Sequence, residues 1–74
     1  PKEWAILELL VGEQDRIFSA TVILERVWQA AAVPGTEAVR GRINDLRQKL
    51  TAAGAPKDLI QTVRRVGYRL NPLY

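Results

Sequence analysis

Apolar residues recur at helical spacing in three stretches of the chain and then give way to alternation. Trp4, Ile6, Leu7, Leu9, Leu10 and Val11 form a broad stripe, which predicts a helix over 3–11. Pro1 suits its first turn, and Gly12 is placed to close it in a left-handed conformation. Polar residues 13–16 read as a turn, and Ile17-Phe18 is too short for more than a brief strand. Ser19 is a good N-cap for a second helix over 20–29. The reciprocal capping box is absent, because Val22 stands where Glu or Gln would be. Ile23, Leu24, Val27 and Trp28 make the buried stripe of this helix, and Glu25 and Arg26 face water. Pro34-Gly35 ends the connecting loop, 29–35.

The third helix, 37–50, is predicted from Thr36 as its N-cap, with Glu37 against the positive end of the helix dipole. Val39, Ile43, Leu46 and Leu50 fall within a narrow arc at 100° per residue. Glu37, Gly41, Asn44, Asp45 and Gln48 point away from that arc. Arg40 and Arg47 lie on one flank, Arg42 and Lys49 on the other. The result is an apolar back, a polar front and basic shoulders, a form suited to a major groove. Residues 51–56 end the helix in a turn. Alternation through Ile60, Thr62 and Arg64, then Tyr68 and Leu70, with Gly67 near the bend, predicts a basic hairpin over 60–70.

Composition narrows the chemistry. Seventy-four residues make one domain, and a core this small leaves little room for a catalytic cleft. With neither Cys nor His, thiolate sites, the commonest metal ligand and the commonest general base are all missing. An enzyme would have to work with Ser, Lys, Tyr or carboxylates, and no glycine-rich phosphate loop is present. No cofactor is expected. No apolar run approaches the roughly 20 residues needed to span a bilayer, and no signal-peptide pattern appears, so the expected location is the cytoplasm. The net charge of +3 hides an asymmetry: residues 1–35 sum to −2 and residues 36–74 to +5. That asymmetry points to an anionic partner for the second half; a solvated basic face without a partner is the plainer alternative.

Specific residues go further. The runs Ile23-Leu24-Glu25-Arg26-Val27-Trp28 after Ser19, Leu46-Arg47-Gln48-Lys49-Leu50 after Val39 and Ile43, and Ile60-Gln61-Thr62-Val63-Arg64-Arg65-Val66-Gly67-Tyr68-Arg69-Leu70 resemble the effector domain of OmpR/PhoB-type response regulators. In order and spacing the resemblance covers nearly the whole chain. It implies an α+β winged helix-turn-helix over 1–74: a three-helix core with a C-terminal β-hairpin wing. It further implies sequence-specific binding of double-stranded DNA, as the transcription-controlling output domain of a two-component system. Helix 37–50 becomes the recognition helix, helix 20–29 the positioning helix, and hairpin 60–70 the wing. The DNA-binding candidates are Arg40, Gly41, Arg42, Asn44, Arg47, Gln48, Thr62, Arg64, Arg65 and Tyr68. Loop 29–35 matches a connection that can contact RNA polymerase, and the full-length protein is expected to bind as a homodimer or in tandem. The family carries a receiver domain and a small N-terminal sheet ahead of this region, so the resemblance also implies that the chain is a fragment, with apolar surface exposed on helix 3–11.

The departures from the family pattern matter. Glu37 and Asp45 stand where basic residues are common, and an exposed carboxylate near phosphates weakens binding. Asp45 can accept from a cytosine amino group; an intrahelical ion pair is the plainer reading, as helix capping is for Glu37. Gly41 replaces a larger residue and either permits close approach to the duplex or is merely tolerated; Arg65 replaces the usual hairpin Gly, so the wing turn is expected to bend differently while gaining a charge. Trp4, Phe18 and Trp28 are assigned to the core. Tyr68 reads as core, as a phosphate hydrogen-bond donor, or as both at once, with its ring packed and its hydroxyl reaching out. Arg47 has two expected partners, a phosphate or a carboxylate of the first two helices. Lys57 and Asp58 read as solvated loop. The rival from another class is a winged helix that binds only protein.

Overall fold

A computed structural model describes residues 2–28 and 34–74. Three helices, α1 (Lys2–Gly12), α2 (Ala20–Val27) and α3 (Glu37–Ala52), are followed by two strands, β1 (Ile60–Val63) and β2 (Gly67–Leu70). The strands pair antiparallel, Ile60 with Leu70 through Val63 with Gly67. The short segment before α2 adds a single antiparallel bridge to β2: Phe18 and Tyr68 exchange both backbone hydrogen bonds at 2.8 Å.

The core is built from Ile6 and Leu10 of α1, Phe18, Ile23 and Leu24, Val39, Ile43 and Leu46 of α3, and Ile60. On α1 the buried face runs through positions 3, 6 and 10, so Trp4, one residue and about 100° further round, is 42% exposed and Val11 47%. The expectation that Trp4 is core is therefore wrong. The apolar stripe of α1 is broader than the one face its neighbours can cover. Phe18 is fully buried and Trp28 half-buried. The Lys2 ammonium lies 5.6 Å from the Trp28 ring centre and donates to the Val27 carbonyl at 3.3 Å, satisfying an acceptor at the end of α2.

The helix ends show where local chemistry decides and where it does not. Ser19 Oγ accepts from the Val22 amide at 3.1 Å and caps α2 as expected. Thr36 occupies the N-cap position of α3 but makes no side-chain cap, contrary to expectation. Its backbone is already helical, and the Ala38 and Val39 amides donate instead to the Gly35 and Thr36 carbonyls. Helix α3 runs two residues beyond the expected end. It closes at Gly54, φ 100°, with Gly54 N–H donating to the Thr51 carbonyl and Ala55 N–H to that of Leu50, a Schellman ending. Gly12 is the last residue of α1 and does not adopt the left-handed backbone expected of it.

Beyond the hairpin, Asn71 is buried and donates to the Asp58 carbonyl at 3.1 Å, while Tyr74 donates to the Asp58 carboxylate at 2.6 Å. That hydrogen bond favours the neutral phenol and raises the Tyr74 pKa above its ordinary value. Asp58 is an exposed loop residue, as expected, and also anchors the C-terminal residues. Among the described residues no helix is long and apolar enough to cross a membrane, and no group of His, Cys, Asp or Glu is arranged to hold a metal.

Candidate nucleic-acid interface

Burying Val39, Ile43 and Leu46 turns the opposite side of α3 to solvent. Gly41, Asp45 and Gln48 form its outermost ridge, with Arg40 and Asn44 exposed on the side nearer the hairpin. Beyond the backbone of its own helix, no atom lies within 4 Å of the place a Gly41 Cβ would occupy. The side chains of Arg40, Asn44, Asp45 and Gln48 make no hydrogen bond or ion pair among the described residues. The intrahelical pair expected for Asp45 does not form.

The other basic residues of α3 are committed within the fold. Arg42 Nη1 and Lys49 Nζ reach the two carboxylate oxygens of Glu3 on α1, at 3.2 and 2.7 Å. Glu3 is 5% exposed, whereas both cations remain about half exposed. The hydrogen bond from Lys49 and a backbone hydrogen bond within its own residue hold the Glu3 carboxyl below its ordinary pKa, against the opposing effect of burial. In the sequence Glu3 counts only as one of the negative charges within residues 1–35. The signal was present, since Glu3, Ile6 and Leu10 share one helical face.

Arg47 is half-buried and turns toward the hairpin. Its Nε and Nη2 donate to the Ile60 carbonyl at 3.2 and 2.9 Å, and Nη2 also donates to Thr62 Oγ1 at 2.7 Å. The carboxylate partner expected from α1 or α2 is replaced by a strand carbonyl, that of Ile60 on β1. This fork of bonds sets the hairpin beside the Arg47 flank of the helix.

At the tip, the Val66 amide donates to the Val63 carbonyl at 2.9 Å, closing a turn with Arg64 and Arg65 at its centre. Arg65 has φ 67°, the left-handed backbone that this turn position demands and that glycine adopts without cost. Arg65 takes up a backbone form open to glycine and adds a cation to the turn. Both arginines are exposed without a side-chain partner among the described residues. Arg69 Nε donates to Gln61 across the strands at 2.7 Å. Tyr68 is half-buried against the core. A side chain at Gly67 would collide with the Phe18 carbonyl, so only glycine permits this approach. Of loop 29–35, residues 29–33 lie outside the described residues.

Three helices around one core, with a hairpin bound to the side of the third, define a winged helix-turn-helix domain. Residues 1–70 match the family described as "Transcriptional regulatory protein, C terminal", and the chain belongs to that family. It is 40% identical over 68 residues to Protein RcaC of Microchaete diplosiphon, covering 92% of this chain and 10% of that protein. It is also 40% identical over 70 residues to the transcriptional regulatory protein CutR of Streptomyces coelicolor, covering 95% of this chain and 30% of that protein. The chain therefore spans less than a third of either relative. In fold it is similar to the DNA-binding domain of the response regulator AdeR, solved in complex with an intercistronic region: TM-score 0.81 at 24% identity, over 95% of this chain and 68% of that one.

Proposed function

We propose that this chain is the DNA-binding output domain of a cytoplasmic two-component response regulator, and that it controls transcription without catalysing a reaction. The carrying observation is the joint exposure of the α3 ridge and the arginine-tipped turn, fixed side by side through Arg47. Helix α3 lies in the major groove, where Asn44 and Gln48 reach base edges and Gly41 admits the duplex closely. Arg40, Arg64 and Arg65 meet phosphates, and Thr62 and Tyr68 line the backbone beside the wing. Arg42 and Arg47 serve mainly by holding the two elements in place, with their exposed edges turned to the phosphates. Residues 29–35 supply the contact to RNA polymerase, and the full-length protein binds as a homodimer or in tandem.

Titration of labelled duplexes over a salt series tests this reading. Log affinity is expected to fall linearly with log salt, with a slope of roughly −3 if the three free arginines each neutralise one phosphate. Arg64→Ala weakens binding to all duplexes alike and shallows that slope by about one unit. Failure to bind any duplex at low salt overturns the proposal and leaves a protein-binding winged helix.

A further inference from the structure

The carboxylate at the centre of the α3 ridge is out of place on a surface meant for a polyanion, and its isolation has a structural cause. On a helix the neighbours of Asp45 are the residues three and four positions away: Gly41, Arg42, Gln48 and Lys49. Two of these are cations that would ordinarily neutralise it. Both instead reach Glu3, at 3.2 and 2.7 Å. Gln48 carries no charge. Gly41, toward which an Asp45 side chain leans in a helix, offers no side chain and open space within 4 Å. Asp45 is exposed, without an ion pair or hydrogen bond among the described residues.

We infer that Asp45 is a specificity-determining residue that reads a cytosine amino group in the major groove, and that Glu3 is a positioning residue that keeps Arg42 and Lys49 from neutralising it. The inference rests on the DNA-binding reading above. A carboxylate only accepts hydrogen bonds, and guanine presents only acceptors, N7 and O6, in the major groove. The cytosine N4 amino group is the donor that suits Asp best, since the adenine amino group sits beside the N7 acceptor. An unneutralised carboxylate thus rejects wrong sequences by repulsion as well as favouring the right one by a hydrogen bond.

The test selects duplexes from a randomised pool with the unaltered chain, Asp45→Ala and Asp45→Asn, then measures affinities on the selected site and its single-base variants. The unaltered chain is expected to select cytosine at one position of the site. Asp45→Ala loses that preference alone and binds the cytosine site at least about fivefold more weakly. Asp45→Asn moves the preference toward adenine, which Asn can engage through N6 and N7. Glu3→Gln, confirmed folded by circular dichroism, weakens the cytosine preference with Asp45 in place; full retention of the preference overturns the part given to Glu3. If Asp45→Ala instead raises affinity equally on every duplex, or leaves preference and affinity unchanged, Asp45 reads no base and the inference fails while DNA binding stands. If the unaltered chain binds no duplex, the DNA-binding reading itself fails.

Discussion

Arg47 and Thr62 are bound across the junction of α3 and β1, Nη2 to Oγ1 at 2.7 Å, with the same guanidinium covering the Ile60 carbonyl. Removing Arg47 leaves that carbonyl without its cation and takes away the polar tie between α3 and β1, while Ile60 stays packed in the core. Arg47→Ala is expected to cost about 1.5–3 kcal/mol in urea unfolding, the range for hydrogen bonds to charged groups. Thr62→Val, which loses one exposed bond, costs about 0.5–1 kcal/mol. Arg47→Lys recovers only part of the loss, because an ammonium lacks the planar fork. Equal effects of Arg47→Ala and Thr62→Val would place the weight of the junction elsewhere.

The left-handed backbone of Arg65 sets stability against affinity. A non-glycine residue there bears about 1–2 kcal/mol of strain, and glycine gives back about 0.5–1 kcal/mol through its freer unfolded chain. Arg65→Gly should therefore stabilise the domain by about 0.5–1 kcal/mol, a rise of several degrees in Tm at this size. The same change removes a wing cation and shallows the salt slope of DNA binding by about 0.9. Thermal unfolding and a salt titration of one variant check both halves.

Glu3 gives the fold an acid limit with a defined sign. Its folded pKa lies below the ordinary 4.5, so between the two values the unfolded chain binds more protons. Stability from the ties to Lys49 and Arg42 is complete above the ordinary value and is lost as pH falls through the folded one. Glu3→Gln should be less stable than the unaltered chain at neutral pH, with the gap closing on acidification. Denaturant midpoints measured across that window check this; a gap independent of pH would mean that the carboxylate charge is not what matters.

The elements that obey a period were legible in the sequence: the stripe Val39, Ile43, Leu46 and the alternation from Ile60 to Leu70 gave α3 and the hairpin at nearly their observed bounds. So was the local cap at Ser19, where one residue and its own backbone suffice. The destinations of Arg42, Arg47, Asp58 and Asn71 were not legible. Each depends on which element lies alongside, over separations of 39 residues for Arg42 with Glu3 and 13 for Arg47 with Ile60. Trp4 failed for a related reason, since a helix apolar on several sides does not announce which one its neighbours will cover. Asp45 was left with two readings because its freedom is decided on α1, far away in the chain.

The hairpin is moored twice, at Tyr68 to the segment before α2 and at Ile60 to the Arg47 guanidinium of α3. The span between the α3 ridge and the wing tip is therefore set by the protein and not by whatever it grips. Such a domain acts as a caliper of fixed opening. A duplex that seats the helix in one groove must also bring its neighbouring backbone to the tip at that distance, so the twist and groove width of the DNA enter its choice of site alongside the bases.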